Sequence, residues 1–255
     1  YSWFAYNGDI SFGRLDKIPH VTVQWYHALA PGVLLLLTRH GIPVSTTFLV
    51  LSAFASTVVF EKMLAKSMLG YAISATIAYA FWMVLAKHLD EKKKVKQEHE
   101  RAWRMAQWGT TGFLWFTWLS HDLANIAVFA PRQISPELLV GILILLVSVL
   151  AHVFYSQGGK IQQIVNEKST TSYVRSATII DAVYAFILLY LKQMNNIPMS
   201  TTWVFVGLLC GRELAIATRK DKKIKKVFPM VAKDFMKMMV GLSISVVLVL
   251  LVHEL

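Results

Sequence analysis

Two polar side chains three residues apart stand in an otherwise apolar stretch. Asp122 and Asn125 belong to Trp118-Leu119-Ser120-His121-Asp122-Leu123-Ala124-Asn125, between the aromatic run Phe113–Trp118 and the apolar run Ile126–Phe129. A carboxylate inside hydrocarbon costs about 3 kcal/mol on insertion scales, so such residues tend to mark ion paths. A spacing of three places both side chains on one face of a helix. A carboxylate and an amide oxygen together are hard-oxygen ligation, suited to Na⁺ or to a carried proton. The competing reading is an interhelical polar clamp.

A second constellation occurs twice. I-P-x-S-T-T is found as Ile42-Pro43-Val44-Ser45-Thr46-Thr47 and as Ile197-Pro198-Met199-Ser200-Thr201-Thr202, each time between two apolar runs. Proline ends one segment, and a hydroxyl residue is suited to N-cap the next. Within a membrane such a break is tolerated where it lines a cavity or packs on protein. Hydroxyls and free N–H groups at the positive end of a helix form a cradle for an anion. Ser45, Thr46, Thr47, Ser200, Thr201 and Thr202 are therefore candidate substrate ligands, with Asn125 beside them. Ordinary capping at a kinked helix is the alternative for one copy alone.

The remaining intramembrane polar residues give weaker signals. Asp181, among Ile179, Ile180, Ala182 and Val183, is suited either to pair with Arg175 or to join the ion path. His27 and His152 read as hydrogen-bonded helix histidines rather than relays. Arg212-Glu213 reads as interfacial anchoring. Gly158-Gly159-Lys160 lacks the spacing of a P-loop. No catalytic constellation is legible, which argues against an enzyme.

Composition sets the solvent in which these residues work. The chain has 255 residues, 55% of them hydrophobic and 16% charged, against about 25% charged in soluble domains. Mean hydropathy is +0.49. The single cysteine, Cys210, excludes a disulfide framework within the chain. The net charge of +11 concentrates in two loops, Lys87 to Arg104 and Arg219 to Lys237, each abutting an apolar span. Cytoplasmic loops of membrane proteins have this character, so nucleic acid is not a partner on this reading. An all-α, multi-pass integral protein of the cell (inner) membrane is expected, with lipid as its surroundings.

Apolar runs at about 21–38, 43–60, 67–87, 105–130, 136–156, 172–193, 198–217 and 235–253 predict about eight transmembrane helices, broken at the two proline motifs. With the loop 88–104 in the cytoplasm, every basic loop falls on one side, and the spans 43–60 and 198–217 cross in opposite directions. Gly70-Tyr71-Ala72-Ile73-Ser74 also matches Gly241-Leu242-Ser243-Ile244-Ser245. The predicted organisation is a first inverted repeat over 1–87, a basic linker over 88–104 and a second repeat over 105–255. Opposite orientation needs an odd number of spans per repeat. The second copy offers five and the first three, so the first repeat is expected to be incomplete or the chain truncated. Inverted repeats with broken helices are a transporter architecture.

In this order the motifs resemble the inorganic phosphate transporter (PiT) family, whose signatures are G-x-N-D-x-A-N and P-x-S-T-T-H in each repeat. The matching residues are His121-Asp122-Leu123-Ala124-Asn125, Pro131, Gly159-Lys160-Ile161 and the two P-x-S-T-T copies. His121 stands where the family has asparagine, and Phe48 and Trp203 where it has histidine. The resemblance implies a symporter of inorganic phosphate, or of sulfate, driven by Na⁺ or H⁺, with no other cofactor. It implies that Asp122 and Asn125 contribute to ion and substrate binding, with Ser45–Thr47 and Ser200–Thr202 around the anion. The candidate cation-coupling residues are Asp122, His121, Asn125 and Asp181, with Na⁺ on Asp122 and Asn125. A homodimer or larger membrane complex is compatible with it. The alternative function is a transporter-like subunit that no longer transports and scaffolds a membrane complex.

Overall fold

The computed structural model describes residues 1–40, 42, 44–85, 97–156, 174–219 and 227–254. Among these the chain forms α-helices, shorter helical turns and no strand. The helices are α1 (Ser2–Ala5), α2 (Leu29–Arg39), α3 (Thr57–Leu85), α4 (Gln97–Asp122), α5 (Ala124–Ala127), α6 (Pro136–Tyr155), α7 (Val174–Met194), α8 (Thr201–Arg219) and α9 (Phe228–Glu254). Four of them, α3, α6, α7 and α9, contain stretches long and apolar enough to cross a membrane, which marks the chain as a membrane protein. Pro43, most of the basic linker (86–96), Gly159-Lys160-Ile161 and 220–226 lie outside the described residues.

Of the eight expected spans, those at 105–130 and 198–217 fall on α4 and α8, which are not among the helices long and apolar enough to cross. Two further expected spans take another form. The run 21–38 contains a 3₁₀ turn, Trp25–Ala28, and the eleven-residue α2. At 1.5 Å per residue α2 covers only about half of a ~30 Å hydrocarbon core. The run 43–60 divides into a π-helical turn, Thr47–Leu51, and the start of α3, which also takes in most of 67–87 as one 29-residue helix. Residues 47–55 are almost wholly buried. Hydropathy registers that burial but cannot distinguish a turn packed in protein from a helix crossing lipid.

Small residues decide how the helices pack. The buried face of α3 carries Ser67, Gly70, Ser74 and Ala78 at three- and four-residue steps, and α8 answers with Gly207-x-x-x-Gly211. Gly207 presses on the Tyr71 carbonyl and Gly211 on the Ala75 carbonyl, so closely that a Cβ at either glycine would overlap backbone. Apolar helices gain little from burial in lipid, so close backbone contact through small residues supplies the association instead. Ser67 meets Ser200, Gly70 meets Val204 and Ala75 meets Gly211, so α3 and α8 run parallel. α4 and α7 are also parallel, through Thr111–Asp181, Phe113–Phe186 and His121–Leu188.

α6 differs from these four. None of its residues is buried, and Leu143, Ile144, Leu145 and Val147 are each at least half exposed. An apolar surface all around a helix requires lipid or another protein as its neighbour.

Candidate functional site

Asp122 ends α4. Leu123 interrupts the helix before the single turn of α5, which leaves the last carbonyls of α4 in need of partners and places Asn125 just beyond the break. The Asn125 amide donates to Asp122 Oδ1 at 3.1 Å. Asn125 Oδ1 is buried and has no hydrogen-bond partner among the described residues. The three-residue spacing therefore brings both side chains together, with one amide oxygen to spare as a ligand.

Both triplets reach this carboxylate. Thr201 Oγ1, in the first turn of α8, donates to Asp122 Oδ2 at 2.7 Å and accepts from Trp118 Nε1 at 3.2 Å. Tyr184 of α7 donates its hydroxyl to the Thr201 carbonyl. From the first triplet, the Thr47 hydroxyl donates to Met199 O at 3.1 Å and lies beside Asp122. The two copies share one local geometry. Ser45 Oγ accepts from Phe48 N, and Ser200 Oγ accepts from Trp203 N, each at 3.2 Å. The residues that follow the triplets, Phe48 and Trp203, meet edge to face with ring centroids 5.3 Å apart. Thr46 and Thr202 are half-buried next to these contacts.

Other candidates separate from the centre. His121 is buried and its Nε2 donates to Leu188 O at 2.9 Å, which leaves Nδ1 as an acceptor without a protein partner. Asp181 accepts from Thr111 Oγ1 at 2.6 Å. It sits seven residues before Leu188, about 10 Å along α7 at 1.5 Å per residue, so it belongs to another layer. His27 stacks on Phe54 and accepts from Gln24 N through Nδ1. Arg212 bonds Glu213 and lies over the Trp82 ring. Among the described residues no group of three or more His, Cys, Asp and Glu side chains gathers to hold a metal. The hard oxygens of Asp122, Asn125 and Thr47 are the available cation ligands.

Two buried cations next to this centre carried no signal in the sequence. The N-terminal segment is a knot. Asp9 accepts from Ser11 N, Ser11 Oγ and Gly13 N, and Gly8, Phe12 and Gly13 take positive φ. Such a φ is strained for phenylalanine; Ser2 Oγ accepts the Phe12 N–H, and Lys192 Nζ lies 4.4 Å over its ring. The knot inserts Arg14, which is 0% exposed. Arg14 Nε donates to Ser120 O and Nη1 to Ile197 O, while Nη2 has no partner among the described residues. Burial pulls this guanidinium down to about 10, with Asp122 within electrostatic reach and opposing the change, so it stays charged at neutral pH. Lys66, buried on α3, donates to Asn195 O, Asn195 Oδ1 and the same Ile197 O.

Arg14 and Lys66 thus bond one carbonyl oxygen, at 3.1 and 2.9 Å. Their nitrogens are therefore no more than about 6 Å apart, where two unit charges would repel by roughly 3 kcal/mol at an effective dielectric of about 20. Neither forms an ion pair with a carboxylate among the described residues. The chain matches no protein-family model, no curated protein and no solved structure.

Proposed function

We propose that this chain is a secondary active symporter of a small inorganic oxyanion, phosphate or sulfate, driven by Na⁺ or H⁺. One observation carries the reading: both S-T-T triplets and the D-x-x-N pair converge on the carboxylate of Asp122. A cation or proton taken up by Asp122 and Asn125 neutralises the carboxylate and favours entry of an anion against the hydroxyls and the α8 N-terminus. Residues far apart in sequence would then load together. The resemblance to inorganic phosphate transporters is part of this reading, with the Phe48–Trp203 contact standing where that family has histidines. With the loop 88–104 inside, the spans 67–87 and 198–217 are expected to run inward and 105–130 and 172–193 outward. The parallel courses of α3 with α8 and of α4 with α7 are compatible with that. The outward crossing expected of 43–60 has no counterpart, because that run is a buried turn leading into α3. Inverted repeats rocking about a fixed centre would give alternating access. The test is uptake of labelled phosphate and sulfate by vesicles containing the purified protein, under separate Na⁺ and proton gradients. Uptake driven by one gradient supports the reading; none under either removes it.

The second reading, a non-transporting scaffold subunit, draws on α6. Its unburied apolar surface offers a face for another membrane protein. Stable copurification of such a protein, with no uptake, would favour it.

A further inference from the structure

We propose that Arg14, backed by Lys66, is the positively charged half of the substrate site and binds a tetrahedral oxyanion. This rests on the transport reading for the role of Asp122, but its evidence lies in residues outside every motif. Arg14 is fully buried, and two of its three nitrogens are fixed by the carbonyls of Ser120 and Ile197. Those bonds hold the guanidinium plane and leave Nη2, with two N–H groups, unpartnered among the described residues. A guanidinium held in this way is suited to phosphate or sulfate geometry, and charge-assisted bonds of this kind are about twice as strong as neutral ones.

Lys66 has a different part. Its three N–H groups are all taken, by Asn195 O, Asn195 Oδ1 and Ile197 O. It fixes the segment of chain leading into Pro198 and the second triplet. The two ends of one short segment are therefore set by the same system: Lys66 and Arg14 at Ile197, Asp122 at Thr201. Buried charge of one sign requires compensation. Asp122 is the carboxylate within electrostatic reach of Arg14. An anion on Nη2 supplies that compensation to Arg14, and a cation on Asp122 and Asn125 supplies it to the carboxylate.

The experiment measures equilibrium binding of labelled sulfate and phosphate to the purified protein in detergent, with thermal unfolding of each variant as the control for folding. Losing a charge-assisted bond corresponds to roughly 10–100-fold in affinity, and that loss is expected for Arg14→Gln. Arg14→Lys supplies a cation that burial neutralises far more easily than arginine. The sulfate affinity of this variant should fall between pH 6.5 and pH 8.5 by at least about tenfold more than that of the unmutated protein. An Arg14→Gln protein that binds as tightly as the unmutated one overturns the inference. If Arg14→Gln does not fold, Arg14→Lys decides, and sulfate affinity that falls no more than that of the unmutated protein between these pH values overturns it. Uptake by Arg14→Gln with unchanged half-saturation overturns the inference while leaving transport intact. Absence of binding by the unmutated protein removes the oxyanion from both.

Discussion

The hydroxyl of Thr201 donates to Oδ2 of Asp122 across 79 positions of sequence, at 2.7 Å. This bond makes one centre of the end of α4 and the start of α8. Its loss has a defined signature. Thr201→Val removes the donor to a charged acceptor and the acceptor for Trp118. We expect a roughly tenfold or greater rise in the half-saturating anion concentration, with Thr201→Ser near the unmutated value. Uptake assays across an anion series measure it.

Thr47 connects the two triplets through Met199 O. Thr47→Val should cost about 1 kcal/mol, seen as a fall of roughly 2–4 °C in melting temperature in detergent. A matching cost is not expected for Thr46→Val, since no side-chain hydrogen bond ties Thr46 to the second copy.

The glycines separate packing from function. Gly211→Ala drives a methyl group into the Ala75 carbonyl and should destabilise the protein by about 1–3 kcal/mol, as overpacking does. Gly141→Ala in α6 meets nothing within 4 Å and should stay within about 0.5 kcal/mol. Thermal unfolding of the pair distinguishes backbone contact from a general intolerance of added volume.

The legible part of this site was polar chemistry in apolar surroundings. Asp122, Asn125 and Thr201 stand out because a membrane makes each of them costly, and the repeated S-T-T marks where helices begin. Arg14 gave no such signal: it lies in a polar, glycine-containing segment that reads as surface, and only the Asp9 knot turns it inward. Lys66 drew no expectation at all, and only the fold shows its amine enclosed by the Asn195 and Ile197 carbonyls. The division of 43–60 was hidden for another reason: Phe48 to Ala55 is apolar whether it crosses lipid or coils inside the protein. Gly207 and Gly211 needed a partner helix before their spacing acquired meaning.

Asp181 offers an internal comparison for the coupling site. It is an intramembrane carboxylate satisfied by Thr111 alone, about two helical turns from the layer of Asp122. Asp181→Asn should lower uptake less than about threefold and leave the dependence on the driving cation unchanged, which initial rates over a range of Na⁺ and pH will show.

The most direct measurement is cation-driven uptake by Asp122→Asn in reconstituted vesicles, alongside the unmutated protein and Asp181→Asn. The substitution keeps size and most hydrogen bonding while removing the charge on which Thr201, Asn125 and Thr47 converge. We expect unmutated uptake to follow the Na⁺ or proton gradient, and Asp122→Asn to insert and fold but show no gradient-driven uptake. Uptake by Asp122→Asn at the unmutated rate, with its cation dependence intact, would contradict the assignment of this carboxylate as the coupling centre.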